Sequence, residues 1–191
     1  MSLTLSWDLF IIVFFGLVIA YSFIIGKHES VKIIVGTYIA IVAVQGIANI
    51  IERLTGETAP FLTVLGLNVD IAMMTAIKLA IFVAIIIFLA VRGGVEIAYT
   101  KEPGSTINLL LTALFGIATA GLLLATLLTF VLDVPLLQGA TVAQSAQVSA
   151  VLAQSKLMQI MIWNLDLWFS LPALLIITVG FISNESGSTE E

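Results

Sequence analysis

The stretch Ile107–Leu132, INLLLTALFGIATAGLLLATLLTFVL, runs for 26 residues without a charge. A helix rises 1.5 Å per residue, and about 20 apolar residues cross roughly 30 Å of hydrocarbon. This stretch is therefore long enough to cross a bilayer with some tilt. Ile, Val and Thr would also suit a strand, but the length and the lack of strict alternation argue for helix.

Working outward, four more stretches share its character. Leu9–Ile25 is uncharged, with Trp7 at its edge as an interfacial anchor. Ile33–Ile51 follows the short polar stretch Gly26-Lys27-His28-Glu29-Ser30, so an antiparallel hairpin is expected. Ile71–Val91 is interrupted by one charge, Lys78, and Leu157–Ile182 is less regular, with Asp166 and Pro172 inside it. The expected fold is all-α: a polytopic membrane bundle of about five transmembrane helices, or four if the last does not cross. The spans are placed at about 7–25, 31–51, 69–91, 107–132 and 157–182. Residues 1–183 then form one membrane domain, and the acidic, Ser-rich 184–191 is expected to be a disordered tail.

Composition agrees. Of 191 residues, 60% are hydrophobic and 10% charged, and mean hydropathy is +1.18; soluble domains carry about 25% charged residues to hydrate their surface. The net charge of −5 and the scattered Lys and Arg residues exclude a nucleic-acid partner, which needs a basic patch. With no Cys and with His28 as the one histidine, neither thiolate chemistry nor a His-rich metal site is expected within the chain, and no cofactor is implied. Met1–Ser6 lacks a basic n-region and Ala20-Tyr21-Ser22 is a poor cleavage signal, so the first span is expected to be retained.

Lys and Arg in short loops set orientation. Five spans place Lys27, Lys32, Arg92 and Lys101 on one side against Arg53 and Lys156 on the other. The N-terminus is then outside and the C-terminus cytoplasmic. Two longer connections, Glu52–Asn68 and Asp133–Lys156, face outside. The second contains Thr141–Ser155, read either as an interfacial amphipathic helix or as a solvated linker. Asn184-Glu185-Ser186 fits a glycosylation triplet but falls on the cytoplasmic side.

Lys78 is the residue that lipid should not tolerate unaided. It lies about 3 Å from the middle of its span, where a cation costs at least ~2.5 kcal/mol. Asp166, about 5 Å to the outer side of the midplane, is a partner by depth, whereas Asp70 lies about 12 Å away along the same helix. Gln45, Asn49 and Asn164 share the outer half, making an intramembrane polar cluster with Lys78 and Asp166. Three readings stand: a structural ion pair, a hydrated cavity binding an ion or protons, and interfacial snorkelling, with Trp163 and Trp168 marking the boundary. In the fourth span, Gly116-xxx-Ala120 and Gly121-xxx-Ala125 allow close backbone approach, either within one chain or between copies. Phosphate-loop, H-E-x-x-H and G-x-S-x-G patterns are missing, and Asp8, Glu29, Glu52 and Glu96 read as charges at helix ends, so no enzyme is expected.

Certain details resemble the colicin V production (CvpA-like) family of bacterial inner-membrane proteins. They are Trp7-Asp8 before the first span, Gly26-Lys27 and Val31-Lys32 after it, Leu114-Phe115-Gly116 with Gly121, and Gln154-Ser155-Lys156-Leu157. The likeness covers most of Met1–Leu157. It departs from the family at Gly26-Lys27-His28-Glu29, where an Arg-Gly pair is usual, and at the uncharged Ile117–Ala120. A full fifth span is also more than the family leads one to expect. The resemblance implies an inner-membrane protein serving colicin-type export, secretion or envelope maintenance, with no enzymatic residues. The partners expected are the lipid bilayer and other membrane subunits or further copies of the chain. A small channel or transporter built on Lys78 and Asp166 is the alternative.

Overall fold

The computed structural model describes residues 6–55, 71–92, 105–132, 134, 152–153 and 155–185. The described elements are all helices: α1 (Trp7–Thr55), α2 (Ile71–Arg92), α3 (Ser105–Val131), α4 (Lys156–Trp163) and α5 (Leu165–Glu185). Among the described residues, Trp7–Ile51 and Asn108–Val131 are long and apolar enough to cross a membrane. Lys156–Trp163 with Leu165–Gly180 makes a third candidate, bent by 63°. In α2 the described apolar stretch, Met73–Leu89, is shorter. Glu52–Asn68 and Thr141–Ser155 fall largely outside the described residues, as do Asp70 and the tail beyond Glu185.

The expected polar loop between the first two spans is itself helical. Lys27–Ser30 are in helix, and the break is confined to Gly26 at φ 79°, ψ 176°. That backbone region is open essentially to glycine alone. Ser30 Oγ donates to the Gly26 carbonyl at 3.0 Å, a hydroxyl bond back along the first turn after the break. Lys32 and Glu29 pair at 2.6 Å, on the surface, where such pairs contribute little. Gly26→Ala is expected to cost about 1–2 kcal/mol, since no other residue relaxes into this geometry. Thermal melting in detergent checks it, with Gly16→Ala, where an added Cβ meets nothing within 4 Å, as the near-neutral control.

Beyond the break, Lys27, Ser30, Ile34, Thr37, Ile41, Val44 and Ala48 are all buried. Their spacing alternates three and four, the repeat that keeps one seam of a helix turned inward. The opposite side, including Ile39, Val42 and Ile50, is exposed and apolar.

The described residues fall into two compact units, 1–34 with 95–191, and 35–94. In the second, an added Cβ on Gly36 would stand 3.4 Å from Leu89 of α2, so α1 and α2 pack closely there. The first is organised around α3. Phe115, Ala118, Leu122, Leu124, Ala125 and Leu128 are buried on several sides of that helix, as expected of a helix apolar all round. Thr119, Thr126 and Thr129 are buried too. Each donates to the carbonyl four residues back, at 2.7 Å, so α3 enters the interior with these hydroxyls already satisfied.

Two contacts orient the helices. An added Cβ on Gly116 would lie 3.1 Å from Ser22 Cβ, while Gly121 faces the Trp168 indole. Trp168 in turn meets Phe15 edge-on, with ring centroids 5.8 Å apart. Gly116 thus sets α3 against α1, and Gly121 sets it against α5.

Candidate functional site: a shared carboxylate and an apolar crevice

Asp8 stands in the first turn of α1, where Ser6 Oγ accepts from Leu9 N at 3.2 Å. Its carboxylate also serves a second helix. Oδ1 accepts from Ser155 Oγ at 2.5 Å and from Leu157 N at 3.1 Å. Ser155 is the N-cap of α4 in extended conformation, and its Oγ accepts from Met158 N at 3.0 Å. The free N–H groups that open any helix are thus met by Ser155 and a carboxylate from 147 positions away. Negative charge at a helix N-terminus is favourable, and Asp8 lies at two of them. Charge-assisted bonds of this kind are stronger than neutral ones.

Ser155 bonded to a carboxylate is a pairing that serine nucleophiles use. Here Ser155 is 2% exposed and its hydroxyl is occupied in capping, so the arrangement holds helices together.

Next to this junction, Ile11, Ile12 and Phe15 of α1, Leu157, Ile160 and Met161 of α4, and Trp168 of α5 line a crevice of about 300 Å³. Every lining residue is apolar. The Trp168 ring that lines it lies against Gly121: a Cβ there would stand 2.0 Å from Trp168 Cε3. Only a glycine lets the indole lie on the α3 backbone. Trp168 Nε1 and Ser22 Oγ are both enclosed without a hydrogen-bond partner among the described residues.

The residues singled out from sequence are placed as follows. Gly116, Ala120, Gly121 and Ala125 are all buried, Gly116 against α1 and Gly121 against α5. Gln45 Nε2 donates to Asn49 Oδ1 at 3.5 Å on an exposed face of α1. Lys78 is half-buried on α2, within the unit 35–94, whereas Asn164 and Asp166 belong to the other unit. Asn164 is the C-cap of α4. Its Nδ2 donates to the Ile160 carbonyl at 2.8 Å, and its backbone N–H reaches the same oxygen at 3.2 Å. Asn164 therefore ends α4 and makes the bend, and the exposed Asp166 follows in the first turn of α5, favourable to its dipole. Pro172 lies within α5 without ending it.

Sequence reasoning took Asp8 for an ordinary end charge and Ser155 for part of a connection. Ser155 ahead of an apolar run carries the usual start signal of a helix, while the Asp8 contact has no local signature. Among the described residues no group of three or more His, Cys, Asp or Glu stands together to hold a metal. Compared with known proteins, the chain matches no protein family, no curated protein and no solved structure.

Proposed function

We propose that this chain is a multi-pass inner-membrane protein of five spans, with its N-terminus outside. Its role is non-enzymatic, in secretion or envelope maintenance, as a subunit that assembles with other membrane proteins or with further copies of itself. The observation that supports this reading is how polar groups are used in the unit around α3. Its buried threonines bond back to their own helix, Asp8 and Ser155 bond each other, and the crevice beside them is apolar throughout. Such an interior favours holding shape over conducting a solute, because an ion path needs polar groups turned to water. The resemblance to the colicin V production family points the same way.

A carrier built on Lys78 and Asp166 makes a different prediction. Lys78→Met is expected to leave copurification of partner subunits and reconstituted flux unchanged. Loss of flux on that substitution, with assembly intact, would overturn the assembly reading in favour of transport.

A further inference from the structure

The sequence places Lys27 in a short polar loop, yet only 5% of the residue is exposed. It opens the buried seam of α1 that continues through Ser30, Ile34 and Thr37. A lysine enclosed to this degree needs a counter-charge, because an unpaired ammonium is costly away from water. Among the described residues its side chain makes no hydrogen bond and no ion pair. The acceptors around it are engaged elsewhere. The Gly26 carbonyl takes Ser30 Oγ at 3.0 Å, and Glu29 is held by Lys32 at 2.6 Å. Asp8 is bonded to Ser155 and Leu157, with roughly 28 Å of helix between it and Lys27. Asp166, on α5, is exposed.

The backbone at this point adds donors to the charge. Gly26, at φ 79° and ψ 176°, divides α1 into two helices, and Lys27 is the first residue of the second. The opening N–H groups of a helix lack partners within it and favour an anion such as phosphate. Side chains lean toward the N-terminal end of their helix, which carries the Lys27 ammonium toward those same groups. Resting on the membrane reading above, the break joins two spans and lies at a headgroup layer, where phosphate is the abundant anion. We infer that Lys27 and the helix start behind Gly26 form a site for one phosphate group, carried by a lipid headgroup or free in solution.

Thermal melting of the full chain in a phosphate-free maltoside detergent tests the site. Phosphatidylglycerol, inorganic phosphate and the phosphate-free lipid diacylglycerol are each added at rising concentration. A rise of about 4 °C is expected once a phosphate source reaches roughly ten times its Kd, and none with diacylglycerol. A rise with phosphatidylglycerol alone assigns the site to a headgroup; a rise with inorganic phosphate assigns it to a soluble phosphate. Lys27→Met is expected to abolish the rise. Without phosphate it is expected to melt no lower than the parent, since it removes an unpaired charge. Lys27→Gln serves the same comparison if the methionine variant does not fold. Lys32→Met, which removes a surface charge nearby, is expected to respond as the parent does. The proposal is overturned if neither phosphate source stabilises the parent, or if diacylglycerol does so equally. A rise that survives without Lys27, or is lost with Lys32, overturns it as well. So do neutral variants melting well below the parent without phosphate, because Lys27 is then already paired within the chain. Flotation of the parent with vesicles separates the two readings. A chain that does not float removes the membrane reading, while the inorganic phosphate comparison still decides the site.

Discussion

Gly121→Leu is expected to destabilise the protein more than any other single substitution in α3. Even the first atom of a side chain at this position would stand 2.0 Å from Trp168 Cε3 and 2.4 Å from Cζ3. The indole cannot yield by rotating a flexible tip, because the atoms in the way belong to the rigid ring. It must leave the α3 surface, and with it goes the edge contact to Phe15. Overpacking of this kind typically costs about 1–3 kcal/mol, and leucine is expected to reach or exceed the upper value. Helices in lipid associate by van der Waals contact, without the hydrophobic drive available in water, so little compensates for the lost fit. Thermal melting in detergent, read from Trp168 emission, measures the effect. Gly180→Ala is the control, since an added Cβ there meets nothing within 4 Å. A Gly121→Leu protein melting with the parent would show that Trp168 does not lie on Gly121.

The second large effect is expected at Asp8. Alanine there removes the acceptor for both Ser155 Oγ and Leu157 N. Bonds to charged groups contribute about 1.5–3 kcal/mol each, and they are not additive when they share an acceptor. A total near 3 kcal/mol is expected for Asp8→Ala, with less for Asp8→Asn, which keeps an oxygen able to accept. Ser155→Ala is expected to lie between them and to add little once Asp8 is already alanine, because both act through one junction. A double-mutant cycle on melting temperature checks this coupling. Full additivity of Asp8→Ala and Ser155→Ala would contradict a shared site.

These two positions show why part of the structure was legible in the chain and part was not. Gly121 was marked from sequence as a small residue permitting close approach. The approaching group, a tryptophan 47 positions later, could not be read from spacing in α3. Asp8 looked like an ordinary end charge because the groups it meets lie across the molecule. The last apolar run, read as less regular and containing Pro172, bends at Asn164, whose amide competes for its own helix's carbonyl. A proline removes one donor and leaves the rest of the turn intact, so a helix packed on its neighbours continues past it.

By itself the amino-acid order determined the helical class and the apolar stretches that suit lipid, since run length, charge and backbone hydrogen bonding are properties of each segment alone. It also marked where a helix was open to interruption: Gly26, at φ 79°, was already the one glycine at the head of the polar stretch. Which helices face one another was decided only in three dimensions, as was which carboxylate caps which N-terminus and where an apolar hollow remains. Those outcomes depend on side chains far apart in the chain meeting at distances of a few ångströms, and no local period encodes such a meeting.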